Sequence, residues 1–289
     1  MQKGLLILFW FLSYSSSAID LNLWEKSDSD TTYLAIRGQK MMKAGFTETL
    51  RLNGHPLFTW SHPIQTWEED LVTTSCQIAL GSQSAYSRNC ANKVKAKIDP
   101  DTNWAGKLFK AQDLKIGKND QIYYIGENPH ASGNGFEIYE WVEGTGEGLK
   151  IGAATKVAVD VNGYPWIVDS SNDIKQWVTS SFVDKPGQAT DIIIGDNNTP
   201  LIVGTTPTEG GKIIQKWNTA SNSWETLLGI GGVSLALDSQ ENPYVVTEDH
   251  KVYRQKGLVY SFCPGKPNIL TFSRIDSMYH GLCQLCKLR

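Results

Sequence analysis

Cysteine, histidine and long apolar runs are all scarce in this chain of 289 residues, and each scarcity narrows what the chain can be. Past the first eighteen residues no stretch approaches the roughly 18 uninterrupted apolar residues that a spanning helix needs, so membrane insertion is not expected. Five histidines, His55, His62, His130, His250 and His280, stand singly, in none of the spacings that a metal centre or catalytic triad imposes. Loop or surface positions suit them. Positive charge is not in excess: 27 Lys and Arg face 30 Asp and Glu, with no basic stripe to grip a phosphate backbone. Nucleic acid is not an expected partner.

What is present begins with a leader. Met1–Ala18 has a lysine near its start, the apolar run Leu5–Leu12 and the small residues Ser16, Ser17 and Ala18, the layout of a secretory signal. A secreted, extracellular chain is therefore expected, and five cysteines outside the cell favour disulfides over reactive thiols. Cys76 and Cys90 are equidistant from Gln83, the centre of a predicted hairpin turn. Antiparallel pairing would set them opposite each other, about 4.5–5.5 Å apart at Cα, which a disulfide accepts. Cys263, Cys283 and Cys286 lie in a tail, residues 263–289, that departs from the rest of the chain. A zinc site there would draw on those three and His280, and is disfavoured outside the cell.

Between leader and tail one phrase recurs about every 40 residues. Its first strand reads LAIRG at 34–38, IALG at 78–81, LKIG at 114–117, VAVD at 157–160, IIIG at 192–195 and LALD at 235–238. A second slot holds Trp60, Ile98, Trp141, Trp177, Trp217 and Tyr253. A third, about seven residues on, holds Trp67, Trp104, Phe182, Trp224 and Tyr260. Short β-branched and aromatic runs broken by turns such as VNGYP, NNTP and QENP describe small antiparallel sheets. One such sheet cannot cover its own faces, so the units must stack on one another. The reading is an all-β, six-bladed β-propeller over residues 19–262. Trp24 sits in NLWEKS, which matches the third-slot strand but precedes the first copy; Asn22–Ser27 is therefore favoured to close the ring, with Gly257–Phe262 as the rival. The first copy is the least regular, and Met41–Ala44 could be strand or helical turn.

Chemistry leaves little trace. Asp99-Pro100-Asp101-Thr102-Asn103 alternates oxygen ligands, but Trp104 and Lys110 stand where a calcium loop needs glycine and glutamate. The first-strand ends Gly38, Gly81, Gly117, Asp160, Gly195 and Asp238 offer only two acids to a central site. No catalytic residue, metal or cofactor is assigned. Asn197-Asn198-Thr199 is a glycosylation sequon in a predicted turn. Trp141, Trp177 and Trp217 follow Glu140, Gln176 and Lys216, and aromatics beside hydrogen-bonding groups can stack on sugars; their strict phase equally suits packing between blades.

The succession KVAVDVNGYPWIVDSSNDIKQW, DIIIGDNNTPLIV with KIIQKW, then SWETLLGIGGVSLALDSQENPYVV, resembles the tectonin repeat over roughly Asn22–Phe262. That resemblance implies a six-bladed propeller like the fish-egg lectins and a non-enzymatic, carbohydrate-binding, pattern-recognition role toward glycans on cell or microbial surfaces. It carries over no binding residue. An extracellular structural or protein-interaction module linked through the cysteine tail is the alternative, and a lactonase- or esterase-like enzyme a second.

Overall fold

The computed structural model describes residues 24–28, 30–37, 40–46, 54–61, 63, 65–98, 103–141, 148–256, 259–262 and 270–273. Among them there is no helix: six four-stranded antiparallel sheets and one two-stranded hairpin account for every strand. In blade 5 the strands Asp191–Ile194, Pro200–Thr208, Gly211–Asn218 and Ser223–Gly232 pair in chain order from the axis outward. The inner strands of the six blades are Thr31–Arg37, Gln77–Leu80, Asp113–Ile116, Lys156–Val159, Asp191–Ile194 and Ser234–Leu237. Each lies within one copy of the recurring first strand or begins a few residues before it. Each touches the inner strands of both neighbours, and the sixth touches the first, so the ring is closed.

Two-faced burial explains why the inner strands carry apolar runs rather than a plain alternation. Leu34, Ile78, Leu114, Val157, Ile192 and Leu235 hold the same place in successive blades and are all at most 2% exposed. Ile192 and Ile194 of blade 5 pack on Ala158, Trp166, Val168 and Ile174 of blade 4. Leu34 and Ile36 of blade 1 pack in the same way on Ala236, Tyr244, Val246 and Val252 of blade 6. Each such aliphatic side chain contributes about 1.5–3 kcal/mol on burial, and removing any blade would expose the faces of two others.

Closure comes from the N-terminal strand. Trp24–Asp28 pairs antiparallel with Val252–Gln255 and completes blade 6, with Trp24 opposite Gln255. Trp24 is 0% exposed, and its indole N–H donates to the Leu228 carbonyl of blade 5 at 3.0 Å. The third slot of blade 6 therefore belongs to Trp24 and not to Tyr260. Val259–Phe262 leaves the ring and pairs with Leu270–Ser273, a partner whose β-forming residues gave no repeat signal. Met41–Ala44 falls inside the strand Lys40–Gly45.

Two more tryptophans bind blade to blade. Trp224 of blade 5 donates to the Pro186 carbonyl of blade 4 at 2.7 Å, and Trp104 of blade 2 to Asp70 Oδ2 of blade 1 at 2.5 Å. Cys76 and Cys90 are joined, with Cα atoms 5.3 Å apart. The register Gln77↔Arg88 and Ile78↔Ser87 sets Cys76 opposite Asn89, so the bridge runs one residue off direct opposition, past the end of the ladder. The leader, Cys263, Cys283, Cys286, His62, His280 and most of Asp99–Asn103 lie outside the described residues.

Candidate functional site

The chain turns back after each inner strand at one mouth of the central tunnel, and these turns interlock. Asp120, Gly163, Asn198 and Glu241 occupy corresponding turn positions, all with φ between 62° and 85°. Three of them reach the turn of the preceding blade. Asp120 accepts from the Ser82 N–H at 2.7 Å and from the Ser82 hydroxyl; Asn198 accepts from the Val161 N–H at 3.2 Å; Glu241 accepts from the Asn197 N–H at 3.3 Å. Gly163 has no side chain to reach with, and a Cβ there would come within 2.8 Å of Gln121 Nε2. Burial of the Glu241 carboxyl raises its pKa above the ordinary value, against the opposing pull of the Asp196 and Asn197 N–H groups.

The two acids at the inner-strand ends are committed to their own turns. Asp160 Oδ1 accepts from the Asn162 and Tyr164 N–H groups, both at 2.9 Å, and Asp238 Oδ1 accepts from those of Gln240 and Asn242 at the same distance. These are Asx turns. In blade 1 the corresponding place belongs to Arg37 and not to Gly38. Arg37 pairs with Lys40 across a tighter turn than the five-residue turns of blades 3 to 6, so its strand runs one residue further. Its guanidinium lies across the mouth, donating to the carbonyls of Leu80 at 3.3 Å, Gly117 at 3.0 Å and Lys118 at 2.7 Å.

Below the mouth, the inner strands enclose a cavity of about 140 Å³. One residue before each fully buried apolar position lies Tyr33, Gln77, Asp113, Lys156, Asp191 or Ser234, a polar layer that changes type in every blade. Gln77 Nε2 donates to Asp113 Oδ1 and to the Leu114 carbonyl, and Asp113 Oδ2 accepts from the Val157 N–H at 2.8 Å. Lys115, two residues nearer the mouth than Asp113 on the same strand, donates to the Tyr33 hydroxyl across the axis at 2.7 Å. Burial alone would depress its pKa, but Tyr33, Asp191 and Asp113 more than offset this and hold it above the usual lysine value. Lys156 is likewise raised, first by Asp113.

The aromatic candidates are not brought together. Trp141, Trp177 and Trp217 stand on the third strands of blades 3, 4 and 5. Trp217 is 7% exposed, meets Trp224 edge-on at 4.9 Å and has Lys185 Nζ 5.7 Å from its ring centre. Trp141 packs against Phe109 at 4.8 Å. Trp177 is only half-buried and pairs edge-on with Phe182 at 5.0 Å on the outer hairpin. Trp60 and Trp67 form the same cross-strand pair in blade 1 at 5.3 Å. Asn197 is exposed in the mouth turn, its Oδ1 accepting from the Thr199 N–H at 2.9 Å. Among the described residues, one trio of metal-capable side chains converges, His55 with Cys76 and Cys90; while the two sulfurs are bonded to each other they are not thiolate ligands.

No protein-family model and no curated protein matches the chain. Solved structures do. A gluconolactonase from Xanthomonas campestris is similar with a TM-score of 0.59 at 7% identity, over 83% of this chain and 91% of that one. YCF48, solved with a D1 peptide, gives 0.52 at 11% over 83% and 99%; a streptogramin B lyase gives 0.52 at 13% over 80% and 96%. At such identities the likeness is one of fold, and the fold's bearers range from enzymes to a peptide-bound protein. The chain is a six-bladed β-propeller.

Sequence reasoning missed Arg37, Lys115 and the polar layer. None repeats from blade to blade, so none stood out against the period.

Proposed function

We propose that this chain is a secreted, non-catalytic propeller of tectonin type that binds glycans on cell or microbial surfaces through its outer hairpins. The observation that carries the reading is the half-buried cross-strand aromatic pair, Trp177 with Phe182 and Trp60 with Trp67, repeated at one register on separate blades. An aromatic face fixed edge-on by its neighbour keeps its other surface for the C–H face of a pyranose ring. Several weak contacts on one rigid ring gain affinity together when the target is a dense glycan surface. Trp217 is withdrawn from this role by burial between Trp166, edge-on at 6.4 Å, and Lys185, and Trp141 by Phe109. The capping roles of Asp160 and Asp238 also favour binding over hydrolysis at the mouth.

The test is a glycan array probed with the purified chain, followed by Trp177→Ala and Trp60→Ala. Binding that a free sugar competes away, and that falls about tenfold in either variant, is expected. Silence across a broad array, or binding indifferent to both substitutions, overturns the reading.

A further inference from the structure

Around the axis, the place held by Lys115 in blade 3 is held by Ala35, Ala79, Ala158, Ile193 and Ala236 in the other blades, and all six line the central cavity. Four alanines leave the room, and one lysine reaches into it. Its ammonium carries three N–H donors, and among the described residues the Tyr33 oxygen is its one hydrogen-bond acceptor. Neither Asp113 nor Asp191 pairs with it directly: Asp113 is taken by Gln77 and the Val157 N–H, and Asp191 Oδ1 by the Ile192 N–H at 3.0 Å. The Tyr33 hydroxyl hydrogen has no protein acceptor among the described residues either. Two kinds of donor thus converge on one spot beside the small side chains of Ala35, Ala79, Ala158 and Ala236.

We propose that this chamber is a binding site for a small organic monocarboxylate, its carboxylate held between Lys115 Nζ and the Tyr33 hydroxyl, its short tail against Ala35, Ala79, Ala158 and Ala236. A buried ammonium gains most from an anionic acceptor, since charge-assisted hydrogen bonds are about twice as strong as neutral ones. The cavity of about 140 Å³ holds on the order of ten waters, which limits the ligand to a short chain. Charge at the far end decides between one carboxylate and two. Asp160, Asp196, Asp238 and Glu241 line the mouth together with Arg37 and Lys118; the Arg37 guanidinium is taken by three backbone carbonyls, so a second carboxylate would meet a rim in which acids outnumber cations. The site lies at the axis, away from the outer hairpins, and stands or falls independently of glycan binding.

Sodium butanoate, succinate and butanamide are the probes, titrated calorimetrically into the whole chain and followed by thermal shift. Butanoate is expected to bind with a Kd of about 1 mM or tighter, and succinate and butanamide at least tenfold more weakly. Lys115→Met, which keeps the length and removes the charge, should weaken butanoate at least tenfold; Tyr33→Phe should weaken it severalfold while circular dichroism stays unchanged. Failure of butanoate to saturate, equal binding of butanoate and succinate, or unaltered affinity in Tyr33→Phe overturns the proposal. Should Lys115→Met fail to fold, the Tyr33→Phe result and the ligand series decide.

Discussion

Removing the Trp24 side chain should come close to unzipping the ring. The indole is fully buried in a cluster with Leu201, Val203, Ile214, Ile230, Leu235, Leu237, Val245 and Tyr253, residues drawn from blades 5 and 6, and its N–H satisfies the Leu228 carbonyl. Truncating a buried tryptophan to alanine costs about 3–5 kcal/mol, of which the hydrogen bond accounts for about 1 kcal/mol. For a domain of this size each kcal/mol lowers Tm by about 2–4 °C, so Trp24→Ala should melt about 6–20 °C below the parent. Trp24→Phe keeps most of the apolar contact and loses the hydrogen bond, and should cost about 1–2 kcal/mol. Urea denaturation followed by tryptophan fluorescence and circular dichroism measures both. Deleting residues 1–28 would further leave the Val252–Gln255 edge unpaired, an invitation to aggregate. A loss below about 1 kcal/mol for Trp24→Ala, with the deleted chain staying monomeric, would refute N-terminal closure.

Replacing Cys76 and Cys90 together by serine frees a loop with a sequence separation of 14 and should cost about 3 kcal/mol, read as a lower urea midpoint that reductant no longer shifts. Glu241 has its folded pKa raised by burial, so the neutral form suits the fold and a penalty develops as pH rises through that pKa. Glu241→Gln should therefore stabilise the protein at pH 7 and make no difference near pH 3.5; a gain that persists in acid contradicts the assignment. Arg37→Ala removes three donors to carbonyls of blades 2 and 3 and should cost about 1–3 kcal/mol, measured by denaturant titration. Secretion from a eukaryotic host should place a glycan on Asn197, seen as a mobility shift that Asn197→Gln abolishes.

Much of the architecture was readable from residues in phase. The six inner strands, the aromatic slots and the closing role of the strand that begins at Trp24 all follow from side chains that recur because every blade faces the same packing problem. Where a blade solves its turn differently, phase misleads. The tight turn between Arg37 and Lys40 moves the end of the first inner strand by one residue, and the hairpin joining Cys76 to Cys90 is centred half a residue from Gln83. Tyr260 imitated a slot already filled by Trp24. The axial site was unreadable for a deeper reason. Tyr33, Asp113, Lys115 and Asp191 differ in type and sit in different blades, and only ring closure brings them to one axis. Trp177 and Trp217 looked equivalent in sequence, yet Trp166 and Lys185 cover one and leave the other half-open.

Pairing Trp24–Asp28 with Val252–Gln255 also orders events in time. The closing strand leaves the ribosome long before the strand it docks on, and at ordinary synthesis rates it waits on the order of tens of seconds for its partner. Until then five nascent sheets stand in an open arc with raw flanks at both ends. Chaperones that bind the nascent chain would meet that arc rather than the finished wheel, so slowing translation of the sixth repeat should lengthen its stay with them.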